Sequence, residues 1–272
     1  MGVIYFNGIS SKDLGIEVET FPKYEIPEKE ITKYEIPGRN GDIVVDHGTF
    51  KNVNVEYDIS VLVKDGDYNS RLHAIASWLY SPSGYARLED SYDPECYRMA
   101  RISSNTSFEN LFNKAGKATL TFDCKPQRFL KKGEEQIEYN NVNTNTTLIN
   151  PSFFSSKPLL KICNIGSAAS AGMVNVVNIN GYSFSYNDIF PAVMDLPYPI
   201  IDMVIDFENK KAYYRDVTDY SKRTAVAAVS SKKYNNLFVR DVTLDKGENV
   251  IIFKKPSSSN SFIKLTPRWW ML

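Results

Sequence analysis

Four carboxylates crowd into one short stretch of the chain and are the side chains best suited to bind a metal ion. They are Glu89, Asp90, Asp93 and Glu95. Ca²⁺ takes about six to eight oxygen ligands, but the spacing does not match an EF-hand loop, and the glycine that loop requires is absent. Asp93-Pro94 is typical of a turn, and Arg87, Arg98 and Arg101 are close enough in sequence to pair with the acids. We therefore predict ion pairs and no metal site.

Residues for catalysis are scarce. The chain has two histidines and three cysteines, without a Gly-x-Ser-x-Gly, a His-Glu-x-x-His or a cysteine with a suitable histidine and asparagine. Cys96, Cys124 and Cys163 form no Cys-x-x-Cys pair, which favours reduced thiols in a protein made in a cytoplasm. A glycosidase needs only two carboxylates, but nothing in the sequence indicates one. We predict no catalytic residue, no cofactor and no enzyme activity.

The composition argues against two classes of partner. The chain has 32 Lys and Arg residues against 32 Asp and Glu residues, with the first half net acidic and the second net basic. Nucleic-acid binding needs a clustered excess of cations, and no apolar segment is long enough and free enough of charge to span a bilayer. A neutral chain with 13% aromatic residues is expected to self-associate, because it lacks charge repulsion.

Alternation of apolar and polar residues dominates and predicts strands. Residues 52–63 and 117–125 have a period of two, as half-buried strands do. Turn-like residues separate six further strand candidates: residues 159–165, 173–180, 202–208, 211–217, 235–242 and 249–255. One segment, residues 66–82, has helical spacing, with Asp67 or Asn69 as N-cap and Pro82 as its stop.

The pattern predicts a mainly β protein of two domains. Composition changes near residues 130–150, where a charged patch is followed by Asn/Thr-rich sequence. We predict an α+β domain with one helix over residues 1–135 and a β-sandwich over residues 136–272.

The pentapeptide KYEIP occurs at residues 23–27 and again at 33–37. Proline confines an extended run to sheet edges or to paths outside a sheet. Residues 23–46 therefore form either a long extended excursion lying on another subunit or an ordinary exposed hairpin, and Asn40-Gly41 is a strong two-residue turn signal. At the other end of the chain, Trp269 and Trp270 point to opposite faces of a strand. Either one of them simply closes the sandwich, the interpretation that we favour, or an exposed one stacks on a sugar or anchors a protein partner.

The order of motifs resembles the distal tail proteins (Dit) of siphophages that infect Gram-positive bacteria. The motifs are IPGRNGDIVVDHGTFKNVNVEYD, the helix, GYARLEDSYDPECYRMARI, KAGKATLTFDCKPQRFLKKGE and the terminal LTPRWW. The resemblance is close over residues 1–135 and looser beyond them.

This resemblance implies a structural hub without enzyme activity. It implies a homo-hexameric ring in the baseplate at the tail tip of a virion, prophage or phage-derived tail, made in the host cytoplasm. The ring joins the tail tube protein to the tail-associated (Tal) protein and to host-adhesion parts such as a receptor-binding protein. The N-terminal domain builds the ring, and the C-terminal domain is a galectin-like β-sandwich.

The resemblance also implies that residues 23–46 are a belt that embraces the neighbouring subunit. The belt residues at the subunit interface are Tyr24, Ile26, Tyr34, Ile36, Pro37, Gly38, Arg39, Asn40 and Gly41. Two alternatives stay open at this point. One is a carbohydrate-binding module that recognises host cell-wall glycans through residues 136–272, with Trp269 and Trp270 in contact with the glycan or another partner. The other is a glycoside hydrolase acting on wall polymer.

Overall fold

The computed structural model describes residues 2–63, 67–103, 108–111, 115–140, 144–166, 176–185, 200–216, 223–225, 242–255 and 260–272. The chain divides into two compact units, of which the first ends at Phe129 and the second runs from Leu130 to Met271. The prediction of a mainly β fold is confirmed, and the described residues contain one α-helix.

The described residues of the first unit form strands, one α-helix and one 3₁₀-helix. Its strands are β1 (Ile4–Phe6), β2 (Ile9–Ser10), β3 (Ile16–Val18), β4 (Lys23–Tyr24), β5 (Lys29–Tyr34), β6 (Ile43–Phe50), β7 (Val53–Leu62), β8 (Ala86–Asp90), β9 (Cys96–Ile102), β10 (Glu109–Leu111) and β11 (Ala115–Leu130). The α-helix α1 spans Tyr68–Tyr80, and a 3₁₀-helix spans Ser11–Leu14.

One antiparallel sheet carries the core of this unit. Its strand order is β2-β1-β8-β9-β11-β7-β3, with β4 pairing on the same edge of β7 as β3 and with β10 pairing with β11. The two strands predicted from alternation, β7 and β11, pair over ten residues of each. Every second side chain of β7 from Val53 to Val61 is buried, because successive side chains of a strand point to opposite faces.

The helix begins and ends where the sequence predicts. The Asp67 carboxylate accepts from the N–H groups of Asn69 and Ser70, which gives two of the unpaired donors of the first turn a partner. The helix ends at Tyr80, just before Pro82. Trp78 is buried, and its indole N–H donates to the carbonyl of Phe6 at 3.0 Å, which ties the helix to β1.

The described residues of the second unit form strands and one 3₁₀-helix, at Lys131–Glu134. Its strands are β12 (Ile137–Tyr139), β13 (Asn145–Asn150), β14 (Leu159–Gly166), β15 (Val176–Ile179), β16 (Tyr182–Ser185), β17 (Ile200–Asp206), β18 (Lys211–Asp216), β19 (Arg223–Ala225), β20 (Gly247–Lys254), β21 (Phe262–Thr266) and β22 (Trp270–Met271). Of the predicted strands, residues 173–175, 217 and 235–241 lie outside the described residues.

Two sheets of this unit share a single apolar core. One has the order β12-β21-β14-β17-β18-β19 and the other the order β13-β20-β15-β16. Buried side chains from both sheets form one cluster, including Ile162, Ile205 and Leu265 from the first and Val177 and Phe253 from the second. This is the arrangement of a β-sandwich. Across both units, none of the described helices is long and apolar enough to cross a membrane.

Trp269 belongs to the core of the sandwich, where it is 4% exposed, whereas Trp270 is half-buried. We expect Trp269→Ala to lower the free energy of unfolding of the second unit by about 3–5 kcal/mol, because it leaves a large cavity. Trp270→Ala is expected to cost clearly less. Denaturant unfolding followed by circular dichroism measures both, and a larger loss for Trp270→Ala would contradict the assignment.

Candidate functional site

The most exposed element among the described residues is a hairpin that does not pair with the main sheet. Strands β5 and β6 form a two-stranded sheet of their own, and we call residues 25–51 the arm. The backbone N–H of Lys51 donates to the carbonyl of Glu28 at 2.9 Å and closes the arm at its base. The cross-strand partners are Lys29 with Phe50, Ile31 with Asp46, Thr32 with Val45, Lys33 with Val44 and Tyr34 with Ile43.

Large apolar side chains of the arm face solvent. The exposed fraction is 88% for Ile26, 56% for Tyr34 and 53% for Val44, and Ile31 and Val45 are also exposed. A two-stranded hairpin is marginally stable by itself in water, and it gains stability by packing against something else. Exposed apolar side chains grouped on one element typically mark an interaction surface.

The arm has two faces, because side chains alternate along each strand and directly paired residues share a face. The first, the Ile31 face, carries Ile31, Lys33, Val44 and Asp46. The second, the Tyr34 face, carries Thr32, Tyr34, Ile43, Val45 and His47. Each face therefore presents an exposed apolar pair, Ile31 with Val44 or Tyr34 with Val45.

Polar cross-strand contacts fix the register of the hairpin. Lys29 pairs with Asp46, and this bond together with the Gly48 N–H lowers the pKa of the Asp46 carboxyl. On the other face, Thr32 Oγ1 and His47 Nε2 are 2.7 Å apart. Such pairs oppose slippage of one strand against the other, so the apolar side chains keep their assignment to the two faces.

The prediction of a two-residue turn at Asn40-Gly41 is wrong for the tip of the arm. Strands β5 and β6 end and begin at Tyr34 and Ile43, so residues 35–42 form the connection. Its hydrogen-bonded turn runs from the carbonyl of Ile36 to the N–H of Arg39 at 3.1 Å. Pro37 and Gly38 are its central residues, with a φ of 84° at Gly38, which is typical of a type II turn. Pro-Gly is also a turn signal in the sequence, since proline suits the second position and glycine the third position of such a turn.

Just before the arm, Tyr24 is hydrogen-bonded to Asp90, one of the four neighbouring carboxylates. Asp90 accepts hydrogen bonds from the hydroxyl of Tyr24 at 3.0 Å, the hydroxyl of Tyr57 at 2.7 Å, the N–H of Tyr92 at 2.9 Å and the N–H of Asp93 at 3.0 Å. Burial first, and then the charge of Asp90, raises the pKa of both tyrosines. The two hydroxyls therefore remain protonated donors, and the carboxylate joins β4, β7 and the turn after β8.

The ring of Tyr24 lies near two guanidinium groups. The central carbons of Arg98 and Arg128 are 5.7 Å and 5.4 Å from the ring centroid, within the range of a cation–π interaction. Arg98 is buried, and its Nη1 has no hydrogen-bond partner among the residues that the structure describes. These side chains line a cavity of about 10 Å³ next to Asp90, room for about one water molecule.

The neighbouring carboxylates are engaged in separate contacts. Across the part of the chain that the structure describes, no group of three or more His, Cys, Asp or Glu side chains is placed to hold a metal ion. Glu89 pairs with Arg87, as predicted, but Asp93 pairs with Arg128, 35 positions further along the chain. Sequence spacing suggested the local partner and missed the distant one.

The second end of the arm meets another carboxylate, Asp123 on β11. The side-chain amide of Asn52 donates to Asp123 at 2.7 Å and to the hydroxyl of Tyr85 at 2.6 Å. Tyr85 and Arg101 donate to the same carboxylate at 2.9 Å and 2.8 Å. Burial would raise the pKa of Asp123, but the hydrogen bonds from Arg101, Asn52 and Tyr85 outweigh it and lower that pKa. Sequence reasoning missed this cluster, because its members are scattered along the chain.

The predicted belt residues fall into two groups. Tyr24 is half-buried in its own unit, whereas the remaining eight are exposed and lie along the arm: Ile26, Tyr34, Ile36, Pro37, Gly38, Arg39, Asn40 and Gly41. Their contact with a neighbouring subunit stays a prediction.

The terminal tryptophans have separate environments. Trp269 belongs to the core, so its ring is not available to a ligand. Trp270 stacks on Phe154 with ring centroids 4.5 Å apart, and its indole N–H donates to the carbonyl of Ser155 at 3.0 Å. One face of its ring is therefore occupied within the unit, and glycan binding at Trp270 stays an untested prediction.

An ion pair holds the segment before these tryptophans. Arg268 makes two bonds to Asp206, at 2.7 Å and 3.0 Å, and Asn209 also donates to this carboxylate. Burial alone would raise the pKa of Asp206, but the bonds from Arg268 and Asn209 outweigh it and lower the pKa to about 2.

Comparison with known proteins finds a matching domain family and a similar solved structure. Residues 10–124, which include the whole arm and both of its carboxylate contacts, match the family model of the phage tail protein RIFT-related domain. The whole chain is similar in fold to the crystal structure of the SPP1 Dit protein (gp 19.1), with a TM-score of 0.64, 13% identity and 100% coverage of both chains. That protein is described as a paradigm of the hub adsorption apparatus in phages that infect Gram-positive bacteria. No curated protein matches the chain.

The expected resemblance to the siphophage distal tail proteins is therefore confirmed. At this level of identity the structural likeness shows the fold alone. The match over residues 10–124 relates this part of the chain to phage tail proteins.

The lowered pKa of Asp206 gives a testable pH dependence. Because this carboxyl has a pKa of about 2 in the folded chain and about 3.9 when unfolded, its contribution of about 2 kcal/mol is complete above pH ~4–5 and disappears as the pH falls towards ~2. The difference in unfolding free energy between the parent and Asp206→Asn should shrink over that window. Glu208→Gln, an exposed neighbour, is the control, and an equal pH response of both variants would contradict the assignment.

Proposed function

We propose that this chain, whose residues 10–124 match a phage tail domain, is a ring-forming hub protein at the distal end of a phage tail. One observation carries the proposal: the arm extends from the first unit with apolar side chains exposed on both faces. A monomer gains nothing from such an element, whereas a neighbouring subunit that covers it removes that apolar surface from water.

A closed ring is the assembly that such an arm favours. Each subunit offers the arm at one side and receives its neighbour's arm at the other, which is a heterologous interface repeated until the ring closes. Both strands of the arm keep one unpaired edge, and an edge gains main-chain hydrogen bonds when it is laid along a strand of a neighbour. Six copies are proposed on the resemblance to the distal tail proteins.

The same resemblance supports the proposed place and partners of the ring. We place it in the baseplate of a virion, between the tail tube protein and the tail-associated (Tal) protein, with the second unit as a galectin-like sandwich available to a receptor-binding protein. Synthesis in the host cytoplasm fits the thiols, since all three cysteines are buried and form no disulfide within the described residues. Burial raises the pKa of Cys124 to about 12 and that of Cys163 to about 11, which leaves both unreactive.

Excision of the arm tests the proposal directly. The carbonyl of Glu28 already accepts from the N–H of Lys51, the bond that closes a β-turn. Replacing residues 29–50 by Asn-Gly, which suits a two-residue turn, should therefore leave a folded protein whose unfolding free energy changes by less than about 1 kcal/mol. It should also abolish ring formation.

Size-exclusion chromatography with light scattering and negative-stain microscopy measure the assembly. Rings from the excised variant would show that the arm is only a surface hairpin. A full chain that stays monomeric up to high concentration, alone and with tail components, would overturn the ring itself. Two double variants, Ile31→Ser with Val44→Ser and Tyr34→Ser with Val45→Ser, then identify the face that the neighbour covers.

Arg39 at the tip of the arm provides a charge test. It is exposed and forms no ion pair within the ranges that the structure describes, and residues 1–135 carry a net negative charge. We expect Arg39→Glu to weaken ring formation most at low salt, because screening reduces the repulsion that it introduces. Lys211→Glu, the same charge change on an exposed residue of the second unit, is the control and should leave assembly unchanged.

A further inference from the structure

The two ends of the arm share a device: each is tied to a carboxylate of the first unit. Tyr24, just before the arm, donates to Asp90, and Asn52, just after it, donates to Asp123. We infer that Asp90 and Asp123 are positioning residues that hold the arm in one orientation before a neighbouring subunit arrives. Its consequence for assembly rests on the proposed function, whereas the fixed orientation is a property of a single chain.

The first tie acts where regular pairing stops. Strand β4 pairs with β7 at only two positions, Lys23 with Glu56 and Tyr24 with Val55. Beyond Tyr24 the chain leaves this edge, and the next strand, β5, pairs only with β6. Two backbone pairs at the end of a sheet fray easily, so the bond from the Tyr24 hydroxyl to a carboxylate shared with the buried Tyr57 adds to the ring contacts of Tyr24 in fixing the point of departure.

The second tie secures the point of return. Strand β7 begins at Val53, directly after Asn52. Asp123 lies on β11 opposite Asn54 of β7, so the amide of Asn52 reaches a strand that is already paired with its own. Tyr85 and Arg101 donate to the same carboxylate and hold Asp123 in place. Asn52 is the donor that directly follows the arm.

A fixed arm matters because ordering a flexible segment opposes association. Residues 25–51 make no strand pairing with the main sheet, so a loosely attached arm would pivot about its two ends. The entropy lost on fixing it would then be subtracted from each subunit contact. With the hydrogen bonds to Asp90 and Asp123, this entropy is lost during folding of the single chain. The arm is then already ordered when subunits assemble.

Spin-label distances within the monomer test the inference without any ring. The labels replace Asn40 at the tip and Ala74, an exposed residue of α1, as cysteines, since the three native cysteines are buried. At a concentration low enough to keep the chain monomeric, we expect a narrow distance distribution. The double variant Tyr24→Phe with Asn52→Ala should give a broad one, and each single variant an intermediate one.

Tyr57→Phe is the matched control. Like Tyr24→Phe, it removes a hydroxyl that donates to Asp90, but Tyr57 lies on β7 inside the core. A purely structural role of Asp90 predicts equal effects of the two tyrosine variants. A positioning role predicts that Tyr57→Phe lowers the unfolding midpoint at least as much as Tyr24→Phe does and leaves the distance distribution narrow.

Assembly provides the second measurement. The double variant should need about tenfold more protein to form rings, because the entropy lost on ordering its loosened arm is subtracted from each subunit contact. A narrow distribution in the double variant, or a broad one in the parent, would overturn the inference whatever the assembly shows. If the parent forms no ring under any condition, the proposed function fails, and the distance measurement still decides whether the arm is fixed.

Discussion

A two-stranded sheet has two faces and no interior, and this constraint governs the arm. The hairpin fixes its register with Lys29–Asp46 and Thr32–His47 contacts, but hydrogen bonds within the pair cannot cover Ile31, Tyr34 or Val44. Everywhere else in the described chain, strands find a larger sheet whose inner face is buried. The arm is therefore the one described sheet that lacks a buried face, and the proposed ring would cover it.

Three aspartates solve a related problem, how to fix irregular segments onto a sheet. Asp90 receives Tyr24 at the start of the arm, Asp123 receives Asn52 at its end, and Asp206 receives Arg268 before the terminal tryptophans. Each carboxylate also accepts from at least one donor of another segment. A carboxylate withdrawn from water needs several donors to offset its desolvation, so one side chain joins segments that are far apart in sequence.

The neutral, aromatic-rich composition is consistent with such a protein. Many aromatic side chains are buried inside the units, as are Phe6, Tyr57 and Phe122 in the core of the first unit. Others, such as Tyr34, are exposed on the arm. A chain with no net charge and exposed apolar side chains tends to associate, and confining much of this surface to one hairpin directs that association to a defined contact.

The sequence by itself determined the elements whose information is local. Alternation predicted β7 and β11, because the period of a strand is written in every second residue, and Asp67 and Pro82 marked the helix. The order of motifs determined the resemblance to the tail proteins. It also indicated that residues 23–46 are a belt, although the local sequence pattern alone fitted a belt and an exposed hairpin equally well.

Only the tertiary structure decided that identical sequence segments have different environments. The two KYEIP copies begin alike, yet Tyr24 donates to Asp90 and is half-buried, whereas Tyr34 is 56% exposed on the arm. The clustered acids looked like metal ligands or partners of nearby arginines, but Asp90 and Asp93 found Tyr24, Tyr57 and Arg128 instead. The physical reason is that a polar group's partner is set by which strands the fold brings side by side, and the spacing along the chain does not contain that distance.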